Sequence, residues 1–313
     1  MPLATGAAMA GAPQAQPQTI APAASAQAPE VVIEPPAPGK PHAGKVLAAI
    51  QPHADDISLF ASGTAAKLIE EGYTGYLIRV TNDDMTGAGT VGEGVRANEL
   101  DNQDLARVLG CRRVFDLEYN NHRMDEVSSS ELRARFIFLF RLLKVDTVIG
   151  YDPWGHYEEN PDHYVTARAV ESACWMAGMS KDYPEHLAAG LQPHSVTEKY
   201  YFARGPQLVN RVVDISSTVE KKIDCICANK AQGPGGESGA RLKTRLASQN
   251  LWLPFLGADD RTANREYVRH FLLKSEQALG RQYGVAFAEQ FHYIGPAAST
   301  IEEEIRRLTV PLR

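Results

Sequence analysis

No CxxC pair, no block of lysines and arginines and no long apolar run occurs anywhere in this chain. Its four cysteines, Cys111, Cys174, Cys225 and Cys227, are too sparsely spaced for a disulfide framework. Cys225 and Cys227 suit a buried helix flank, and the set fits a reducing, cytoplasmic setting. The formal charge is −6 with a pI near 5.9. Without a basic stripe to meet a phosphate backbone, nucleic acid is not expected as a partner. No segment approaches the length of a membrane span. The first residues lack the basic start and continuous apolar stretch of a signal peptide.

What is there is ordinary globular material: 313 residues, 44% hydrophobic and 22% charged. Residues 1–44 differ from the rest, with 13 of the alanines and 9 of the 19 prolines. Such a segment buries too little apolar surface to offset chain ordering, so a disordered tail is expected there. From residue 45 to 313 one domain is expected, and a homo-oligomer is compatible with it.

Within that domain short apolar strands alternate with amphipathic helices. "VLAAI" (46–50), "GYLIRVTND" (75–83), "RVFDLEY" (113–119) and "DTVIGYD" (146–152) read as strands. Helices are expected over 58–72, 92–110, 129–144 and from Pro161 to about Gly178. Strands 198–204 and 210–216, a helix 218–232, a flexible loop 233–240 and a helix 261–279 follow. The alternation predicts an α/β fold, a mostly parallel sheet with helices on both faces.

Ligands bind at the carboxyl ends of such strands. "HADD" (53–56) lies there after the first strand, Asp83 after the second, and "NPDH" (160–163) after the fourth. Each motif alone is more simply a helix cap. Together, on one edge of one sheet, they combine imidazole and carboxylate in the way a catalytic zinc requires, with an open position for water. Adjacent aspartates then divide the work, one as ligand and one as general base for the water the metal acidifies.

"PHADD" followed by "NPDH" resembles the PIG-L/LmbE-like superfamily of zinc-dependent N-acetylglucosamine deacetylases, whose signature is "(A/P)HPDDE" with a later "HPDH". "VRANELDNQDLARVLG" (95–110), "VDISSTVEKKIDCICANKAQ" (213–232) and "YGVAFAEQF" (283–291) are similar to further family segments, so the likeness covers about 45–295. It implies a Rossmann-like fold and hydrolysis of the N-acyl, chiefly N-acetyl, amide of an amino sugar. It implies His53, Asp56 and His163 as ligands of one Zn2+ (iron being the other candidate) and Asp55 as the base. It places Arg96 and Glu99 at substrate-side positions and Asp214 near the site.

The chain departs from the pattern where Asn160 replaces the first histidine of "HPDH". Its amide can donate to an oxyanion but cannot deliver a proton, so Asp55 or His156 is expected to protonate the amine. Asn229 and Ala231 stand where the family has "H.S". Trp154 is a candidate for stacking on a sugar ring, with His194 near the mouth; His122, His186, His270 and His292 read as structural or exposed. Phe136, Phe138 and Phe140 read as core. Gly87-x-Gly89-x-x-Gly92 mimics a dinucleotide fingerprint but begins too far past its strand. The rival readings are therefore a nucleotide-binding Rossmann protein and a non-catalytic zinc-binding relative.

Overall fold

The structure, a computed structural model, describes residues 30–296 and 300–311. Its strands are β1 (Val32–Glu34), β2 (Val46–Gln51), β3 (Thr74–Thr81), β4 (Arg113–Tyr119), β5 (Thr147–Tyr151), β6 (Glu198–Phe202), β7 (Arg211–Asp214) and β8 (Ala288–Ile294). The helices are α1 (Asp56–Phe60), α2 (Ser62–Glu70), α3 (Val91–Leu109), α4 (Ser129–Leu143), α5 (Pro161–Met176), α6 (Pro184–Ala188), α7 (Val219–Ala228), α8 (Ser238–Ser248), α9 (Asp260–Tyr267), α10 (Lys274–Tyr283) and α11 (Thr300–Leu308). The strands form one sheet in the order β1-β7-β8-β6-β5-β2-β3-β4.

β2 pairs in parallel with β3 on one side and β5 on the other. The chain winds outward through β3 and β4, then returns to the other side of β2, so the switch in winding falls between β2 and β5. Alternate residues of β2 feed opposite faces, as the pleat requires. Leu47 and Ala49 pack with Ala65, Leu68 and Leu105, while Ala48 and Ile50 pack with Phe136, Phe140 and Ala173. Phe138 is the exception to the expected aromatic stripe: two positions along the helix it points outward, 39% exposed, edge-on to His186.

Three departures from the sequence reading have local causes. Residues 1–29 of the expected tail lie outside the described residues. Over 30–44, however, the chain supplies β1, which pairs in parallel with β7. Glu34 accepts from Lys67 and Tyr200 at 3.0 Å each and from Arg211 at 3.0 Å, holding that proline-rich stretch down. Second, the expected loop 233–240 gives way at Ser238 to α8. Third, the expected helix over 261–279 is broken by a π-helical turn at Val268–Leu272.

β8 enters antiparallel between β6 and β7 and delivers a buried acid. Glu289 accepts from the Gly63 and Thr64 amides at 3.0 and 2.8 Å and from Lys222 Nζ at 2.7 Å. Lys222, fully buried, also donates to the Leu59 carbonyl at 2.6 Å, so one ammonium ties α7 and β8 to α1. Lys222→Ala strands the buried Glu289 charge and is expected to destabilise the fold by about 3–5 kcal/mol. Denaturant unfolding measures this; a loss below about 1 kcal/mol would mean the pair is dispensable.

Candidate metal centre

The turn after β2 is wired from below. Gln51 accepts from the Ile57 amide at 3.1 Å and donates to Asn102 at 2.8 Å. The Ala54 amide donates to Asp83 at 3.2 Å, and its carbonyl accepts from Asn229 Nδ2 at 2.7 Å. Buried Arg79 in turn holds Asp83, at 3.2 Å. Asn229 therefore supports the turn directly, while the amides of Lys230 and Ala231 both donate to Asp101 at 2.6 Å.

On this base the side chains converge. Asp56 accepts from the His53 amide and from the Tyr151 hydroxyl, each at 2.8 Å. Asn160 caps α5, its Oδ1 accepting from the Asp162 amide at 3.0 Å, with Pro161 in the first turn. The helix start presents His163, whose ring stacks on Tyr151 at 4.1 Å. His163 Nε2 faces His53 Nδ1 at 3.0 Å. One ligand atom each from His53, Asp56 and His163 lies within 4.8 Å of the others, and all three residues are buried.

Asp162 sets the orientation. Its Oδ2 meets His53 Nε2 at 3.0 Å and accepts from the His122 amide at 2.7 Å, turning His53 Nδ1 inward. This is the carboxylate–histidine pairing that fixes the tautomer of a metal ligand. On the far side of His163, Glu158 stands 3.1 Å from Nδ1, out of line for a hydrogen bond.

The electrostatics favour a cation. Burial alone would lower the His53 pKa, but Asp162 and Asp56 outweigh it and raise it to about 11. Burial lowers that of His163. Burial pushes Asp56 up, yet the hydrogen bond from His53 and the charge of His163 hold it below the usual range. Burial, then the Asp56 charge, lifts Asp55 to about 7. Two imidazole nitrogens and a carboxylate facing one point, with surplus acid around them, fit a zinc-type ion.

A cavity of about 260 Å³ opens above this point, lined by His53, Asp55, Asp56 and His163 with Asn160, Asn121, His122 and Arg204 among the others. Asn121 and Arg204 are additions to the sequence reading, and His122, expected to be structural or exposed, is corrected to a residue of the cavity wall. Asn121 has its side-chain amide buried and unpartnered among the described residues, and His122 sits at a left-handed φ of 58°. Gly233 closes over Asp55: at φ 82° a Cβ there would stand 2.8 Å from Asp55 Oδ2.

Other expected site residues lie elsewhere. Asp83 is buried beneath the turn and acts on Ala54. Arg96 and Glu99 are on the exposed face of α3, and His156 is exposed, its amide bonded to the Pro206 carbonyl at 2.9 Å; none lines the cavity. Asp214 accepts from Ser216 at the end of β7. Trp154, half exposed, packs against His292 at 5.3 Å. His194 is corrected most clearly: it meets Asp146 at 3.1 Å, before β5 begins, at the opposite end of the sheet. The glycine-rich loop has its own explanation too. A Cβ at Gly94 would stand 2.5 Å from the Thr86 carbonyl, and Thr90 with Glu93 already caps the α3 N-terminus where a phosphate would sit.

A family model described as PIG-L: GlcNAc-PI de-N-acetylase matches residues 48–174, which include both halves of the site. Diacetylchitobiose deacetylase of Thermococcus kodakarensis is 28% identical over 197 residues, 61% of this chain and 71% of that protein. Among solved structures, N,N'-diacetylchitobiose deacetylase from Pyrococcus horikoshii superposes with a TM-score of 0.63 at 23% identity, covering 80% of this chain and 84% of that one. GalB, the 4-carboxy-2-hydroxymuconate hydratase of Pseudomonas putida, shares the fold at a TM-score of 0.57 and 15% identity, over 86% of this chain and 100% of its own. The scaffold alone thus accommodates more than one chemistry. The family match over residues 48–174 and the deacetylase relative thus agree with the likeness that the two motifs carry, and both halves of the His53, Asp56 and His163 site fall inside the matched segment.

Proposed function

We propose that this protein hydrolyses the N-acetyl amide of an amino sugar at a divalent cation held by His53, Asp56 and His163, zinc being the metal the donor set suits best. The observation that carries the reading is the convergence of those ligand atoms beneath a cavity that Asp55 also lines. A cation held by these three residues would supply Lewis acidity, polarising the amide carbonyl and lowering the pKa of a water. Asp55, lifted to about 7, accepts a proton from that water as its oxygen adds to the carbonyl carbon. It then returns the proton to nitrogen as the C–N bond breaks, releasing acetate and the free amine. Asn160, its Oδ1 spent on the helix cap, keeps Nδ2 to donate to the carbonyl oxygen. Asn121 offers its unpartnered amide to the sugar.

Hydrolysis is preferred to the hydration chemistry of GalB because the deacetylase relative is 28% identical against 15% for GalB, and the family matched over residues 48–174 is a de-N-acetylase. Among the described residues no helix is long and apolar enough to cross a membrane, and all four cysteines are unpaired; a cytoplasmic setting belongs to this proposal. The test measures amine release from N-acetylglucosamine, N,N'-diacetylchitobiose and other N-acetylglucosaminides, with metal content determined on the same sample. Turnover proportional to bound metal is expected. A fully metal-loaded sample inert on every amide would overturn the reading.

A further inference from the structure

A second cavity, of about 500 Å³, lies beside the metal cavity. Leu59, Phe60 and Arg204 line both, so the two are compartments of one cleft. The volume lies in the range of small-ligand sites. On one side the half-buried Phe60, its ring stacked at 5.4 Å on the buried Phe202, offers an apolar face that Leu279 of α10 completes. Gln207, Gln282 and Gln290 add primary amides, each able to donate and to accept.

The charges of this compartment are already matched among the described residues. Glu289 and Glu276 both meet the buried Lys222, at 2.7 and 3.2 Å. Arg204, the one cation lining the compartment, is bonded to Glu158 at 3.0 Å. An entering phosphate would lose its hydration without gaining an uncommitted cation, which is costly. A neutral group with an apolar face and a hydroxyl edge meets both the ring surface and the amides.

Resting on the amidohydrolase reading, we propose that this second compartment seats the aglycone, the group glycosidically joined to the amino sugar, and selects a neutral hydroxylated ring over an anionic one. Leu279 and Gln282 on α10 are then specificity residues. This sets the chain apart from the GlcNAc-PI de-N-acetylases, whose family matches residues 48–174.

The experiment compares kcat/KM for N-acetylglucosamine, N,N'-diacetylchitobiose, N-acetylglucosaminyl-inositol and its phosphorylated form, using wild type, Leu279→Trp and Gln282→Arg. Wild type should favour the neutral two-ring substrates over the monosaccharide by about tenfold or more, with the phosphorylated one below both. The two neutral arms tell a hexose from a cyclitol. Filling the compartment with Leu279→Trp should remove the two-ring advantage and leave the monosaccharide rate unchanged. At the exposed Gln282, an arginine should raise the phosphorylated substrate about threefold or more. Equal wild-type rates for neutral and phosphorylated aglycones would overturn the proposal, as would a Leu279→Trp loss shared by the monosaccharide. Inactivity of wild type on every substrate, the monosaccharide included, would instead sink the hydrolase reading and take this inference with it.

Discussion

Asp55→Ala is expected to bind its divalent cation at full stoichiometry while kcat for amide hydrolysis falls by about a hundred- to ten-thousand-fold. Asp55 lines the cavity, yet among the described residues no other residue donates a hydrogen bond to its carboxylate. It therefore holds nothing in place, and its removal should cost the fold little. Asp56, by contrast, is engaged by the His53 amide and the Tyr151 hydroxyl and stands between the imidazoles. The two neighbours thus divide along the line that separates a free base from an anchored ligand. Asp55→Asn keeps the shape and removes only proton acceptance, so it should fall as far as the alanine variant. Metal content by elemental analysis and single-turnover rates check both. Near-normal turnover would remove Asp55 from the chemistry, and lost metal would make it a ligand.

The sequence makes the sheet and its polar edge legible because buried parallel strands such as "VLAAI" are apolar throughout and end at polar turns. It makes His53, Asp56 and His163 legible because their motifs fall after strands that turn out to flank one switch point. It hides Asp162, since an acid in a first helical turn normally serves the helix dipole; only the path of residues 122–124 past it gives it work on His53. His122 and Arg204 are hidden because a loop histidine and a post-strand arginine carry no periodic signal. β1 is hidden by composition, because three residues in a proline-rich stretch become a strand only through partners as distant as Arg211. His194 misled because proximity to a strand in sequence does not say which end of the sheet it reaches.

Stripping the metal with a chelator is expected to bring turnover to background, and added Zn2+ to restore it. In His163→Ala, added Zn2+ should restore neither stoichiometric binding nor rate. The size of the effect follows by comparison. Removing an outer partner of a metal ligand commonly costs about 10–100-fold in affinity, so Asp162→Asn should weaken binding by that much while His163→Ala exceeds it. Asp162 reaches the centre only through His53 Nε2, whereas His163 Nε2 itself faces the point where the donors meet. His163 also stacks on Tyr151, so thermal unfolding of the variant must accompany the metal titration. A graded series, wild type above Asp162→Asn above His163→Ala, in a variant that stays folded, is what a cation shared by the β2 turn and the α5 start demands. Equal affinity across the series would place the cation elsewhere, and with it the reaction.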